Sequence, residues 1–238
     1  MPRSDFIGGS SARFTAVTAI MTASVMVATI AFQLSIPATG GYFNFGESLV
    51  YISALLFGPL VGGFAGGIGS MLADAATGYL VFAPGTLVSK GVEGLVAGFL
   101  SERARLRKAR KVGKKISLVV GSAIGLSLAA LGITGVAIQP TWPPVAITLE
   151  PLIWVLVSIL AGVLVGYVVY RSEVNGVIIT LSMLAGGACM VIGYFLYELF
   201  LVGYIYAAAE IPFNIMQSLT GIVIAFPVSN RVRRAIMV

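Results

Sequence analysis

The chain has 238 residues, of which 58% are hydrophobic and only 10% are charged, and its net charge is +6. A soluble globular domain usually carries about 25% charged residues, so this composition excludes an ordinary soluble protein. The single cysteine, Cys189, excludes an intrachain disulfide, and the lack of histidine removes the commonest general base and metal ligand. The sequence carries no Walker, HExxH or GxSxG motif, and we predict no cofactor.

Apolar runs that are long enough to cross a bilayer follow one another along most of the chain. A spanning helix needs about 20 mostly apolar residues. The first predicted helix runs from about Arg13 to Ile36, where Pro37 ends it, and residues 37–46 form a polar and aromatic outer loop. The next predicted helices, which complete the region 13–102, are Glu47 to Phe57, Pro59 to Tyr79 and Pro84 to Leu100.

A basic loop and an additional pair of spans come before the last two helices. Eight of the Lys and Arg residues fall within residues 103–115, which is typical of a cytoplasmic loop and not of a nucleic-acid site. Residues 116–170 contain two apolar runs and predict an inserted helix pair. The last two helices, about Val177 to Phe200 and Pro212 to Pro227, fall within residues 176–230. Residues 1–238 are therefore predicted to form a single membrane domain.

The positive charges predict the orientation of the chain in the cell membrane. When the N-terminus is cytoplasmic and about eight spans alternate, the basic loop, Arg171 and the C-terminal arginines all lie inside, as the positive-inside rule requires. Both termini are then cytoplasmic, because the number of spans is even. The predicted fold class is an all-α polytopic membrane protein. Lys90 is the exception among the cations, because it lies well inside an apolar run.

Lys90 and Glu93 lie on one face of a predicted helix, roughly 9 to 14 Å below its outer end. An ionisable group at membrane depth is costly and is rarely found there without a functional or pairing reason. Two interpretations are open. Lys90 either pairs with Glu93 or Asp74 and only fastens helices together, or it faces a ligand cavity that opens to the outside.

Aromatic and polar side chains at the same level favour a ligand site. The segment Gly40 to Glu47 combines aromatic rings with hydrogen-bonding groups, as small-molecule sites do, and it is placed to act as a lid. Polar ladders on the last two helices lie at the same depth, although such residues also serve simply as links between membrane helices. The predicted substrate-binding residues are Tyr42, Asn44, Glu47, Asp74, Lys90, Glu93, Tyr197, Glu198, Asn214 and Gln217.

Several of these segments resemble the substrate-binding S component of energy-coupling factor (ECF) vitamin transporters. The resemblance covers about residues 13–102 and 180–234. It is carried by Gly41-Tyr-Phe-Asn-Phe-Gly-Glu47, Ala54-Leu-Leu-Phe-Gly-Pro-Leu60, the glycine-rich helix to Asp74, Ala83-Pro-Gly-Thr with Lys90-Gly91, Ile192-Gly-Tyr-Phe-Leu-Tyr-Glu198 and Glu210-Ile-Pro-Phe-Asn-Ile-Met-Gln217.

The resemblance implies a bundle of six helices, to which residues 116–170 add a pair. It implies a non-enzymatic, substrate-specific subunit of an ATP-driven importer, which binds a vitamin or vitamin precursor near the outer membrane face. Family members bind riboflavin, thiamine, biotin, pyridoxine or precursors, and these motifs do not select one of them. The implied partners are a transmembrane coupling subunit and two cytoplasmic ATPase subunits. The residues expected to contact the coupling subunit are Ala12, Ala16, Ala19 and Ala23.

Two other classes of function stay open. The chain could be a stand-alone membrane carrier or scaffold, in which the ionisable residues only tie helices together. An intramembrane enzyme would need an acid–base pair such as Asp74 with Glu198. The lack of histidine and of a catalytic motif makes the enzyme the weakest of these interpretations.

Overall fold

The computed structural model describes residues 11–36, 40–105 and 174–236, together with residues 118, 121–122, 125–126, 129, 155–156, 158–160, 162–163 and 166–167. Most of the basic loop and of the inserted region lies outside these ranges. The elements are α1 (Ser11–Ala31), β1 (Gln33–Ile36), β2 (Gly41–Asn44), α2 (Gly46–Phe57), α3 (Pro59–Thr77), α4 (Ala83–Arg105), α5 (Val174–Leu201) and α6 (Tyr204–Ile236).

The outer loop contains a β-hairpin, and the prediction that the first helix continues to Ile36 is wrong. Helix α1 ends at Ala31, because Gln33–Ile36 pairs antiparallel with Gly41–Asn44. In this register Gln33 lies opposite Asn44, and Ile36 lies opposite Gly41. A short apolar run is compatible with either a helix or a strand, so the sequence pattern could not identify this end.

The last helix is longer than predicted. Helix α6 begins at Tyr204 instead of Pro212, and it continues through Pro212 and Pro227 to Ile236. A proline removes one backbone hydrogen bond from a helix, but membrane helices tolerate this because their neighbours satisfy the freed group. The extension places Glu210 inside the helix instead of before it.

Helix α2 is short and lies at the centre of the bundle. It packs against α1, α3, α4 and α6, and most of its side chains are buried. Burial on all sides suits a mostly apolar helix, and its buried Glu47 is ion-paired with Lys90. The Tyr51 hydroxyl lies 2.7 Å from Ser218 Oγ on α6. After α2 the chain turns sharply at Gly58, whose φ of +96° favours glycine.

Helices α3 and α4 approach closely through glycines. A Cβ on Gly66 would lie 2.8 Å from the Lys90 carbonyl oxygen, and one on Gly62 would lie 3.0 Å from the Gly94 carbonyl oxygen. Small residues allow membrane helices to come this close. This contact places Lys90 of α4 beside Gly66, about two helical turns along α3 from Asp74.

The described residues of the inserted region are all helical. A Cβ on Gly121 would lie 2.6 Å from the Gly162 carbonyl oxygen, and a Cβ on Gly162 would lie 2.7 Å from the Gly121 carbonyl oxygen. These two helical stretches therefore contact each other through glycines. The total number of spans stays a prediction, because the rest of residues 116–170 is outside the described ranges.

The described helices suit a membrane. Those long and apolar enough to cross a bilayer are Ser11–Ala31, Gly176–Leu201 and Tyr204–Arg233.

The two ends of the bundle are marked by different structural features. At one end Arg233 donates a hydrogen bond of 3.1 Å to the Leu55 carbonyl oxygen near the end of α2. The hairpin lies beyond the start of α2, at the other end.

Candidate ligand-binding site

A polar cavity lies beneath the hairpin. Its volume is about 40 Å³, which is room for about one or two water molecules. Strand β2, helices α3 to α6 and the turn between α3 and α4 form its walls. Its lining residues are Gly41, Tyr42, Asn44, Ser70, Asp74, Tyr79, Phe82, Thr86, Lys90, Tyr194, Glu198, Glu210, Asn214 and Gln217.

Two of the larger spaces in the described part of the chain are apolar grooves. One of about 920 Å³ is lined by residues between Leu118 and Tyr167, and one of about 550 Å³ runs along α1 and α3. Neither has a charged side chain among its described lining residues. A third space, of about 350 Å³ between α4 and α5, has Arg103 as the one charged residue among its described lining. The convergent polar groups that fix a ligand's orientation are therefore found beneath the hairpin.

Lys90 forms a buried ion pair with Glu47 of α2. Its side chain is only 3% exposed, and Glu93 Oε2 lies 4.0 Å from the Lys90 ammonium nitrogen. Lys90 pairs with Glu47 and not with Asp74, so the predicted alternative pairing with Asp74 is wrong. Glu47 and Glu93 contact Lys90 without lining the cavity. The charge of Lys90 is thus already matched before a ligand binds.

Asn44 and Gln217 join the hairpin to α6. The backbone N–H and the side-chain amide of Asn44 donate to Gln217 Oε1 at 3.0 and 3.1 Å. Gln217 in turn donates to Glu47 Oε1 at 2.9 Å. Asn44 Oδ1 also accepts a hydrogen bond of 2.7 Å from the Gly46 N–H, where α2 begins. A continuous network of polar groups therefore runs from the hairpin to Lys90.

Tyr42 joins the hairpin to α3. Its hydroxyl donates a hydrogen bond to Asp74 Oδ1. Burial, and then the nearby Asp74 carboxylate, raise the pKa of Tyr42 above its ordinary value, so that the hydroxyl keeps its proton. The Tyr79 ring lies 4.6 Å from the Tyr42 ring, centre to centre, and its hydroxyl is 3.0 Å from Ser35 Oγ. Asp74 Oδ2 has no hydrogen-bond partner among the described residues.

Helices α5 and α6 form the opposite wall. Tyr194 donates a hydrogen bond of 3.0 Å to Thr86 Oγ1, and its ring centre is 5.6 Å from the Lys90 ammonium nitrogen. The Glu210 carboxylate lies against the hairpin backbone, because a Cβ on Gly41 would be 3.3 Å from Glu210 Oε2. Glycine at position 41 leaves the space that this carboxylate occupies.

The structure brings together most of the residues that the sequence singled out. Tyr197 is apart from them: its hydroxyl donates to the Val81 carbonyl oxygen at 2.7 Å, and it does not line the cavity. Tyr194 and Glu210, which lie on the polar ladders of the last two helices, also line the cavity but were not predicted to do so. Tyr79 and Phe82 line it from the turn between α3 and α4, where no helical period could indicate them. The predicted residues that do line the cavity are Tyr42, Asn44, Asp74, Lys90, Glu198, Asn214 and Gln217.

Comparison with known proteins identifies the family. The family model described as "ECF-type riboflavin transporter, S component" matches residues 10–151 and 148–234. A curated relative from Pyrococcus woesei, described as an uncharacterized protein in gap 3'region, is 52% identical over 79 residues, which are 33% of this chain and 53% of the relative. The chain thus spans about half the length of that relative. The match to the family model covers most of the chain, and this multi-pass membrane protein belongs to the S-component family of ECF-type riboflavin transporters.

Proposed function

We propose that this chain is the substrate-specific subunit of an ATP-driven ECF importer and that it binds a vitamin or vitamin precursor from outside, in the cavity beneath the hairpin. The observation that carries this proposal is the convergence of buried polar side chains from the hairpin and four helices on one cavity. Such groups are expensive in a membrane unless they have a function or a partner. The family description makes riboflavin the first ligand to test.

The cavity must enlarge to hold such a ligand. Its volume of about 40 Å³ is well below the roughly 300–1,000 Å³ of most small-molecule sites. The hairpin that covers it is attached to the helices partly through polar contacts, Tyr42 with Asp74 and Asn44 with Gln217. A ligand can exchange its own hydrogen bonds for these, so we propose that the hairpin moves outward when the ligand enters.

The proposed energy source lies in partner subunits, because the sequence carries no nucleotide-binding loop of its own. Helix α1 offers a surface for the coupling subunit. Ala12, Ala16, Ala19 and Ala23 are all exposed, and Ala19 and Ala23 line the groove of about 550 Å³ along α1 and α3. Small side chains at this spacing allow another membrane helix to approach closely.

Mass spectrometry of the purified, detergent-solubilised chain tests the proposal. We expect a vitamin-sized molecule to co-purify in near-stoichiometric amount. Asn44→Ala should reduce its retention about tenfold or more, because a hydrogen-bonding group is lost from the cavity wall. Asn230→Ala, the same change near the far end of α6, is the matched control and should retain the ligand.

Two outcomes would contradict the proposal. A folded protein that yields no ligand, and that binds none of the vitamins added to it, would exclude a vitamin-binding role. Net uptake of a vitamin into liposomes that contain this chain alone would instead favour a stand-alone carrier.

A further inference from the structure

The cavity beneath the hairpin carries more acidic than basic groups. Asp74, Glu198 and Glu210 contribute carboxyl groups to its walls. Lys90 is the single cation among its described lining residues, and it is already ion-paired with Glu47. The described walls therefore hold three carboxyl groups and one ammonium group.

Two of these carboxyl groups have an oxygen atom that lacks a donor. Asp74 is 1% exposed and Glu198 is 4% exposed. Asp74 Oδ2 and Glu198 Oε2 nevertheless have no hydrogen-bond partner within the part of the chain that the structure describes. A buried polar atom without a partner costs about 1–3 kcal/mol, and more if it is charged.

Aromatic rings line the same cavity. Tyr42 and Tyr79 lie 4.6 Å apart, and Tyr79 and Phe82 lie 6.4 Å apart, measured between ring centres. The face of an aromatic ring attracts cations, and the Tyr194 ring already lies 5.6 Å from the Lys90 ammonium. Carboxyl groups and aromatic rings that line one cavity together form a binding environment for an organic cation.

We propose that the substrate carries a cationic nitrogen, either a protonated amine or a quaternary or aromatic nitrogen cation, which binds between Asp74 and Glu198 beside the tyrosine rings. This inference rests on the proposed function and narrows its substrate class. A cationic nitrogen supplies the missing positive charge, and a protonated amine also supplies hydrogen-bond donors. A neutral ligand supplies no positive charge.

Calorimetric titration of the purified full-length chain with four probes tests the inference. Pyridoxamine and pyridoxine form a matched pair, because an aminomethyl group in one replaces a hydroxymethyl group in the other. Thiamine is a larger cation, and riboflavin is a neutral vitamin. We expect pyridoxamine to bind about tenfold or more tightly than pyridoxine, and thiamine to bind more tightly than riboflavin.

The outcomes separate the inference from the function on which it rests. Tighter binding of riboflavin and pyridoxine than of the cations would overturn the inference and leave the proposed function intact. If the folded chain binds none of the four probes and yields no co-purified ligand, both are contradicted.

Charge-removing variants locate the cation. Asp74→Asn and Glu198→Gln keep the size of each side chain, and we expect each to weaken binding of the preferred cation about tenfold. Glu102→Gln makes the same change near the Gly58 turn at the other end of the bundle and should leave the affinity unchanged. Thermal melting of each variant shows that it is folded. Unchanged cation affinity in both cavity variants would overturn the inference.

Discussion

At the scale of single residues, the main result is the environment of Lys90. The sequence identified Lys90 as a cation at membrane depth and placed it near several carboxylates. It could not identify Glu47 as the ion-pair partner, because that contact depends on how α2 and α4 are rotated against each other. The i, i+3 spacing revealed only Glu93, whose carboxylate lies farther away, at 4.0 Å.

Breaking this pair should destabilise the protein strongly. Lys90→Met leaves Glu47 and Glu93 buried without a counter-ion and should lower the free energy of unfolding by about 3–5 kcal/mol. Glu47→Gln should cost less, because Lys90 keeps Glu93 as a counter-ion at 4.0 Å. The double variant should recover part of this loss, because no buried charge of the pair remains. Thermal unfolding of the three variants gives the coupling energy. Strictly additive effects would show that the two side chains do not interact.

At the scale of secondary-structure elements, the close approach of α3 and α4 positions the site. Helix α3 carries small residues at every fourth position, Gly62, Gly66 and Ser70, and in the structure Gly62 and Gly66 pack against α2 and α4. Their partners on α4 were not predicted, because the spacing on one helix does not fix the rotation of the next. The hairpin was missed for a different reason, since four residues of strand are too few to show a period.

Two glycines of α4 provide a matched test of this packing. A Cβ on Gly94 would overlap the Gly62 carbonyl group and lie 2.9 Å from the Gly63 nitrogen, whereas the nearest atom to a Cβ on Gly91 is 3.6 Å away. Gly94→Ala should therefore destabilise the protein by about 1–3 kcal/mol through overpacking. Gly91→Ala should be neutral, or stabilising by about 0.5–1 kcal/mol, because alanine favours helix. Equal melting temperatures for the two variants would contradict this account.

At the scale of the whole molecule, the order of the helices and the family were predicted from the sequence. Hydrophobic run lengths are set by the thickness of the bilayer, so they can be read without a structure. The size of the cavity could not be read in this way, because it depends on how closely the hairpin packs against α3 and α6. Within residues 116–170, the arrangement of the positions that lie outside the described ranges stays a prediction.

Assembly with the coupling subunit can be tested on α1. Ala19→Trp should prevent co-purification with co-expressed coupling and ATPase subunits, because the bulky ring fills the groove in which we propose that a partner helix packs. Ile192→Trp, at another exposed apolar position on α5, is the control and should assemble normally. Both variants should still bind the ligand. Normal assembly of Ala19→Trp would show that the partner docks elsewhere.

The ion pair between Lys90 and Glu47 also bears on how the chain is made. Helix α4 is not among the described helices that are long and apolar enough to cross a membrane by composition alone. A lysine at the centre of a helix opposes insertion by about 2.5–3.5 kcal/mol. Glu47 is synthesised before Lys90, and it is the group that neutralises this charge. We therefore expect helix α4 to insert into the membrane more readily together with α2 than on its own.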